Sequence, residues 1–158
     1  MAVDIGYDAI DRLGNWSNGW TIIAKGATAS KDGTIVTLEI WAYGDITGLR
    51  VGSFYTTNGN TLKCRDSVAI AGTITAGSKV EKVISLTVVT GDYIGCYFTG
   101  GSICRSMSGA TGIWQFDGEA IDPNDEETYN LYAADDAFSL GGYFEVAAAG
   151  RSFGFIIG

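Results

Sequence analysis

The sequence predicts an all-β protein, a single antiparallel jelly-roll-like β-sandwich of about nine to ten short strands. Three observations lead to this prediction. Twenty-three glycines and one proline divide the 158 residues into short segments. These segments alternate apolar and polar residues between turn signals, and none has convincing helical periodicity. Nothing resembles a linker or an internal repeat, so residues 1–158 are expected to form one domain.

Residues 34–42 are the clearest predicted strand, because their side chains alternate as a half-buried strand requires. The expected inward face consists of Val36, Leu38, Ile40 and Ala42. The expected polar face consists of Thr37, Glu39 and Trp41. Turn residues on both sides limit this strand to a short run.

The remaining predicted strands follow at similar spacing. They cover residues 49–56, 67–75, 79–88, 93–99, 102–107, 113–116, 143–149 and 152–157. Asn58-Gly59 predicts a hairpin turn, and Thr99-Gly100-Gly101 predicts a second one. The long connection 117–141 suits a Greek-key topology, and only residues 124–136 are compatible with a turn or two of helix.

Three cysteines are an odd number, which argues against a full disulfide framework. A three-residue loop at 99–101 would place Cys96 opposite Cys104, where a cross-strand disulfide would fit. A two-residue turn would instead point Cys96 to the other face. The third alternative is three reduced and mostly buried thiols. Without a CxxC motif or a histidine, no zinc site is expected.

Charge limits the partners of this chain. The formal net charge is −8, from 18 acidic and 10 basic side chains. Such a surface repels phosphate, so neither nucleic acid nor an anionic membrane is an expected partner. No apolar run is long enough to span a bilayer, and the first residues lack the pattern of a secretory signal. We therefore expect a protein made and kept in the cytoplasm, as a virion component would be, or alternatively an extracellular protein whose signal was removed.

Catalysis is not expected, because the sequence contains no histidine to activate a serine or cysteine nucleophile. Eight acidic residues lie between Asp117 and Asp136, but they fall in a predicted loop, whereas glycosidase carboxylates usually project from strands into a cleft. A hydrolase is therefore the least expected function, and no cofactor is expected apart from a calcium ion.

The calcium alternative depends on the segment Asp122-Pro123-Asn124-Asp125-Glu126-Glu127, which imitates the start of an EF-hand loop. The candidate ligands are Asp122, Asn124 and Glu126. Glu127 stands where an EF-hand needs glycine, and Ala133 stands where it needs a bidentate glutamate. The segment is thus either a solvated acidic loop or a calcium site of another type.

Tryptophan supplies the main candidate binding surface. Trp16 and Trp20 lie in the loop-like segment 14–20, and Trp41 lies on the polar face of its strand. Exposed indoles stack on the apolar faces of sugars, but they also fill cores and subunit interfaces. The apolar C-terminal run, with Phe153, Phe155 and Ile156, is expected to be a core strand or a strand donated to a neighbouring copy.

Several phrases together carry a family resemblance. They are Asp11-Arg12, the run 33–42, Ala76-Gly77-Ser78-Lys79 and Thr90-Gly91-Asp92-Tyr93-Ile94-Gly95. The sequence resembles small, mostly uncharacterised β-sandwich proteins found in tailed-phage and metagenomic contexts. The resemblance covers about residues 10 to 115 and contains no catalytic signature. It implies a virion-associated structural role, such as capsid decoration or a tail appendage.

Three functions follow as expectations. The first is a non-enzymatic phage virion component that self-associates or attaches to a capsid or tail lattice through Trp16, Trp20, Trp41 and the C-terminal run. The second is a carbohydrate-binding module with stacking tryptophans and an acidic, calcium-binding loop. The third is an extracellular filament subunit that exchanges edge strands.

Overall fold

The computed structural model describes residues 3–132 and 134–145. These residues form fourteen β-strands and no helix. The strands are β1 (Ile5–Gly6), β2 (Gly14–Ser17), β3 (Trp20–Ala24), β4 (Gly33–Thr47), β5 (Arg50–Asn58), β6 (Thr61–Ala69), β7 (Lys79–Val88), β8 (Tyr93–Tyr97), β9 (Gly100–Ser106), β10 (Ile113–Asp117), β11 (Glu126–Thr128), β12 (Asn130–Tyr132), β13 (Ala137–Phe138) and β14 (Leu140–Tyr143). The described part of the chain has no helix long and apolar enough to cross a membrane.

The strands form two antiparallel sheets of seven strands each within the described residues. In sheet I the strands follow the order β1-β14-β4-β9-β13. Two further strands extend this sheet: β7 pairs with β4, and β2 pairs with β9. Sheet II follows the order β11-β6-β5-β8-β3-β10-β12. The two curled sheets pack face to face, so the prediction of an antiparallel β-sandwich is confirmed at this level.

Several predicted strands agree closely with the structure. β7 has the predicted bounds, and the hairpin at Asn58-Gly59 joins β5 to β6 with Asn58 paired to Thr61. The structure has more strands than predicted. The alternation of apolar and polar residues does not reveal strands of two or three residues, or strands in segments without alternation. Six of the fourteen strands are of these kinds: β1, β2, β3, β11, β12 and β13. Residues 124–136, the segment compatible with a turn or two of helix, contain β11 and β12 and no helix among the described residues.

The main core lies between the sheets. Leu38 and Ile40 of β4 face Ile22 of β3 and Val51 of β5, and all four are fully buried. Apolar side chains of this size each contribute about 1.5–3 kcal/mol when fully buried. Leu38, Ile40 and Ala42 take their predicted inward positions, but Val36 does not: the strand has a bulge between Ile35 and Thr37, so Ile35 is buried and Val36 is half-buried.

The predicted polar face of β4 is also buried, which corrects the expectation of a solvent-facing side. Glu39 is 3% exposed and Thr37 is fully buried. The N-terminal segment covers this face, where the Ala9 N–H donates to Glu39 Oε2 at 3.0 Å. The Tyr143 hydroxyl donates to Glu39 Oε1 at 2.9 Å. The carboxylate is tolerated there because its oxygens are hydrogen-bonded.

A second apolar cluster lies on the outer face of sheet II. Ile23, Phe54 and Trp114 project from the sheet, and the connection after β10 covers them. We call residues 118–129 the strap. Its Ile121 and Tyr129 are 0% and 1% exposed. The acidic loop predicted from the sequence is therefore a cover for the sheet, with apolar residues directed inward and carboxylates outward.

The predicted hairpin 93–107 is wrong, because β8 belongs to sheet II and β9 to sheet I. The chain crosses between the sheets at residues 98–99. Cys96 and Cys104 consequently lie in different sheets, and Cys64, Cys96 and Cys104 are all free and buried. Of the three alternatives, three buried thiols describe the structure.

Candidate ligand-binding cleft

The crossing from β2 to β3 brings two tryptophans together. Gly19 permits the sharp turn, with φ of +89°. Its N–H donates to the Phe98 carbonyl at 3.0 Å. The rings of Trp16 and Trp20 meet edge to face, with centroids 5.9 Å apart and planes at 89°. This is a favourable geometry for an aromatic pair.

A cleft of about 320 Å³ opens beside this pair. The lining residues come from four strands: Asn15, Trp16 and Ser17 of β2, Trp20 of β3, Arg105 of β9 and Gln115 of β10. β2 pairs with β9 in sheet I, and β3 pairs with β10 in sheet II. The cleft therefore lies where the two sheets meet at one side of the sandwich.

Arg105 connects the tryptophan pair to a buried carboxylate. Its guanidinium carbon lies 5.3 Å from the centroid of the Trp16 ring, within the range of a cation–π contact. Its Nε lies 3.6 Å from Asp136 Oδ2. Asp136 is 1% exposed. Burial raises the pKa of the Asp136 carboxyl, and the nearby Arg105 charge acts in the opposite direction, to lower that pKa.

The structure brings together two of the three predicted tryptophans. Trp16 is 6% exposed, so it is a wall of the cleft and not a protruding side chain. Trp20 is partly buried against the main core. Trp41 is partly buried on β4, opposite Lys79, and does not line the cleft. Phe153, Phe155 and Ile156 lie outside the described residues.

The predicted calcium ligands do not come together as a group. Asp122 lies with Glu119 and Asp125, whose carboxylate oxygens are within 4.8 Å of one another. The Thr57 hydroxyl donates to Glu126 at 2.5 Å. Asn124 occupies the left-handed region, with φ of 78°.

The side chain of Arg50 already supplies a positive charge to this acidic group. Arg50 Nη1 lies 2.7 Å from Glu119 Oε2, and Arg50 also contacts Asp122 through Nη2. These contacts lower the pKa of the Asp122 carboxyl. The arrangement fixes the strap to β5, and we draw no metal site from it.

Sequence reasoning missed Arg105 and Gln115, and it counted Asp136 only as one of the eight acidic residues of a predicted loop. Arg105 and Gln115 stand in strands whose pairing partners are distant in sequence, so no local motif marks them. Asn15 and Ser17 belong to the segment that drew attention for its tryptophans. A comparison of the chain with protein families, curated proteins and solved structures gave no match. Its function is therefore argued from this geometry.

Proposed function

We propose that this protein is a non-enzymatic binding module that holds a carbohydrate in the Trp16–Trp20 cleft. One observation carries the proposal: two perpendicular indoles share a cleft with amide, hydroxyl and guanidinium side chains. A pyranose ring presents an apolar C–H face that packs on an indole, while its hydroxyls need hydrogen-bonding groups at the edge of the ring. The cleft offers both kinds of surface side by side.

The size and composition of the cleft also suit binding. Its volume of about 320 Å³ is at the small end of the range for ligand sites. One sugar unit would fill much of it, and the open side leaves room for a chain to continue. None of the six lining residues is a carboxylate, whereas glycoside hydrolysis ordinarily uses two.

We also propose that the sandwich is jelly-roll-like and that the protein is a component of a phage virion. The chain changes sheet at eight of the connections between the described strands, including those from β2 to β3, from β3 to β4 and from β8 to β9. So many crossings support a topology other than a simple meander. The phage-protein resemblance over residues 10 to 115 supports the virion location. A glycan-binding module on a virion would recognise sugars on a cell surface.

The test is binding of soluble oligosaccharides, first by array and then by calorimetry. Trp20→Ala should weaken the binding of a hit by at least about tenfold, the scale of one lost aromatic contact. Trp41→Ala is the matched control, because it removes a partly buried indole outside the cleft. Failure to bind any glycan, or equal losses in the two variants, would refute the proposal.

Self-association is the second candidate function. It is supported by the surface between β6 and β7, away from the cleft. β6 and β7 flank an opening of about 290 Å³. Ile70 and Ile84 line it and are 8% and 7% exposed, the highest values in the main core. Val83 is 82% exposed on β7, whose outer edge has no strand partner among the described residues. Such an edge can accept a strand of a neighbouring chain.

Light scattering tests the assembly candidate. The wild-type protein should form a discrete oligomer, and Val83→Lys should shift it to the monomer, because lysine on an edge strand opposes pairing. Val89→Lys is the control, since Val89 is 36% exposed and lies just outside β7. A wild-type protein that stays monomeric at high concentration would remove this candidate without affecting the glycan proposal.

A further inference from the structure

The charge inside the cleft bears on which glycans it accepts. Arg105 is the one charged side chain among the six that line the cleft. A lone arginine in a sugar site would favour uronic acids or sulfated sugars, because guanidinium pairs with carboxylate and sulfate groups. Here the side chain of Arg105 is 14% exposed, and the protein supplies a counter-charge directly behind it.

That counter-charge is Asp136, which the fold holds in place. The Gly112 N–H donates to the Asp136 carbonyl at 2.9 Å, just before β13 begins. The Asp136 carboxylate accepts no hydrogen bond from the described residues, and its ion pair is with Arg105 at 3.6 Å. In a poorly solvated position, opposite charges at this separation interact strongly. The positive charge of Arg105 is therefore directed into the protein.

Long-range electrostatics act in the same direction. The chain carries a formal net charge of −8. An anionic glycan approaching the cleft meets this negative field before it reaches a guanidinium that is already paired. A neutral glycan meets no such opposition and still finds the indoles, the amides and the hydroxyl group.

We infer that the cleft selects neutral glycans, with Asp136 acting as a specificity-determining residue that cancels the charge of Arg105. The inference rests on the proposed glycan-binding function. Asp136 does not line the cleft. It acts through Arg105, whose role toward the ligand is then stacking and hydrogen bonding.

The experiment compares neutral hexose oligomers with the matching uronic-acid oligomers on the wild-type protein. The neutral oligomers should bind at least about tenfold more tightly. Their affinity should change less than about twofold between low and high salt, since no ligand charge is involved. Uronic oligomers that bind as tightly as the neutral ones would overturn the inference and leave the glycan-binding function standing.

The second part of the experiment measures the same oligomers on the Asp136→Asn variant. The substitution should raise affinity for the uronic oligomers by at least about fivefold and make that binding sensitive to salt. Asp135→Asn is the matched control, because it changes the net charge equally at an exposed neighbour. An equal gain in both variants would mean that only the overall field matters, which would contradict the role of Asp136.

Binding of no oligomer of either class would refute the glycan-binding function itself. If Asp136→Asn does not fold, as judged by circular dichroism, the wild-type protein still decides the inference through salt. Discrimination against the uronic oligomers that persists at high salt comes from the buried Arg105–Asp136 pair, whereas discrimination that disappears comes from the overall field and overturns the role of Asp136.

Discussion

Arg65 and Asp92 form a bidentate ion pair between β6 and the turn before β8. Arg65 Nε lies 2.6 Å from Asp92 Oδ2, and Nη2 lies 3.0 Å from Oδ1. The same carboxylate accepts the Val89 N–H at 2.9 Å. Asp92 is 1% exposed, whereas the Arg65 side chain is 29% exposed. The pair fixes the turn that brings the chain from sheet I to sheet II.

Asp92→Ala should lower the free energy of unfolding by about 2–4 kcal/mol, because it leaves the Val89 N–H without its acceptor and Arg65 without its partner. Partial exposure of Arg65 keeps the loss toward the lower part of this range. Urea unfolding measures it. Asp117→Ala, at an exposed carboxylate, should stay within about 0.5 kcal/mol of the wild type. Equal effects of the two variants would contradict a structural role for the pair.

Tyr129 should be the main anchor of the strap. Its ring packs against Phe54, with centroids 6.4 Å apart, and against Phe116, with centroids 5.8 Å apart. Tyr129→Ala should destabilise the protein by about 3–5 kcal/mol, as for other large buried aromatics. Tyr129→Phe keeps the ring and should cost far less. Thermal unfolding of both variants gives the comparison, and similar losses would show that ring packing is not what anchors the strap.

Gly95 should not accept a side chain, although its φ is not in the left-handed region. A Cβ at this position would lie 2.6 Å from the Ile22 carbonyl oxygen and 2.9 Å from the Phe54 ring. Gly95→Ala should therefore destabilise the protein by more than about 3 kcal/mol or prevent folding, since the core cannot relax around backbone atoms.

Gly72→Ala provides the control for this prediction. Gly72 has φ of +80° but has open space around the added Cβ. Gly72→Ala should lower the free energy of unfolding by about 1–2 kcal/mol, which is the strain of an alanine in the left-handed conformation. A Gly95→Ala variant that is as stable as Gly72→Ala would show that the two sheet strands separate easily here.

The buried thiols should weaken the fold at alkaline pH. Burial raises the pKa of Cys64 to about 12, well above that of a free thiol, and raises the pKa of Cys96 as well. Above the pKa of the unfolded thiols, near pH 9, the unfolded chain loses protons that the folded chain keeps. The contribution of the protonated thiols to the free energy of unfolding is therefore fully present below that pH and decreases as the pH rises further.

Urea unfolding from pH 7 to pH 11 tests this prediction. Cys96→Ala should show a smaller loss over that interval than the wild type, after allowance for its lower stability at pH 7 from the vacated volume. In native protein at pH 8, a thiol reagent should react at a rate that follows unfolding. Fast modification of all three cysteines would contradict their burial.

Calcium should not stabilise the protein through the strap. Arg50 already contacts Glu119 and Asp122, so a cation would have to displace a guanidinium held by two carboxylates. The melting temperature should be the same in millimolar calcium and in chelator. Arg50→Gln should lower the melting temperature and should make it respond to calcium. A wild-type protein stabilised by calcium would show that the ion replaces Arg50.

Much of the fold could be predicted from local patterns. The bounds of β7 and the hairpin at Asn58-Gly59 followed from alternation and turn residues alone. By contrast, the segment from Gly14 to Trp20, which contains β2, was predicted to be loop-like, and no strand was predicted where β3 lies. Strand pairing with β9 and β10 gives this segment a regular conformation that its own composition does not favour.

The candidate site was predictable only in part. Trp16 and Trp20 were chosen for their ring chemistry, and they do lie in the cleft. Trp41 was chosen because alternation put it on a polar face, but the N-terminal segment covers part of that face, as the buried Glu39 shows. Periodicity identifies the two faces of a strand and does not say what will cover each one.

By itself, the sequence determined the class of fold, because glycine-bounded alternating runs can bury their apolar sides only by pairing into sheets. It also determined the acidic charge and the absence of an imidazole. The tertiary structure decided which sheet each strand joins, as with β8 and β9, and whether Cys96 meets Cys104. It alone placed Arg105 between Trp16 and Asp136. The physical reason is that these contacts join residues far apart in the chain, and their energies depend on packing that no local pattern encodes.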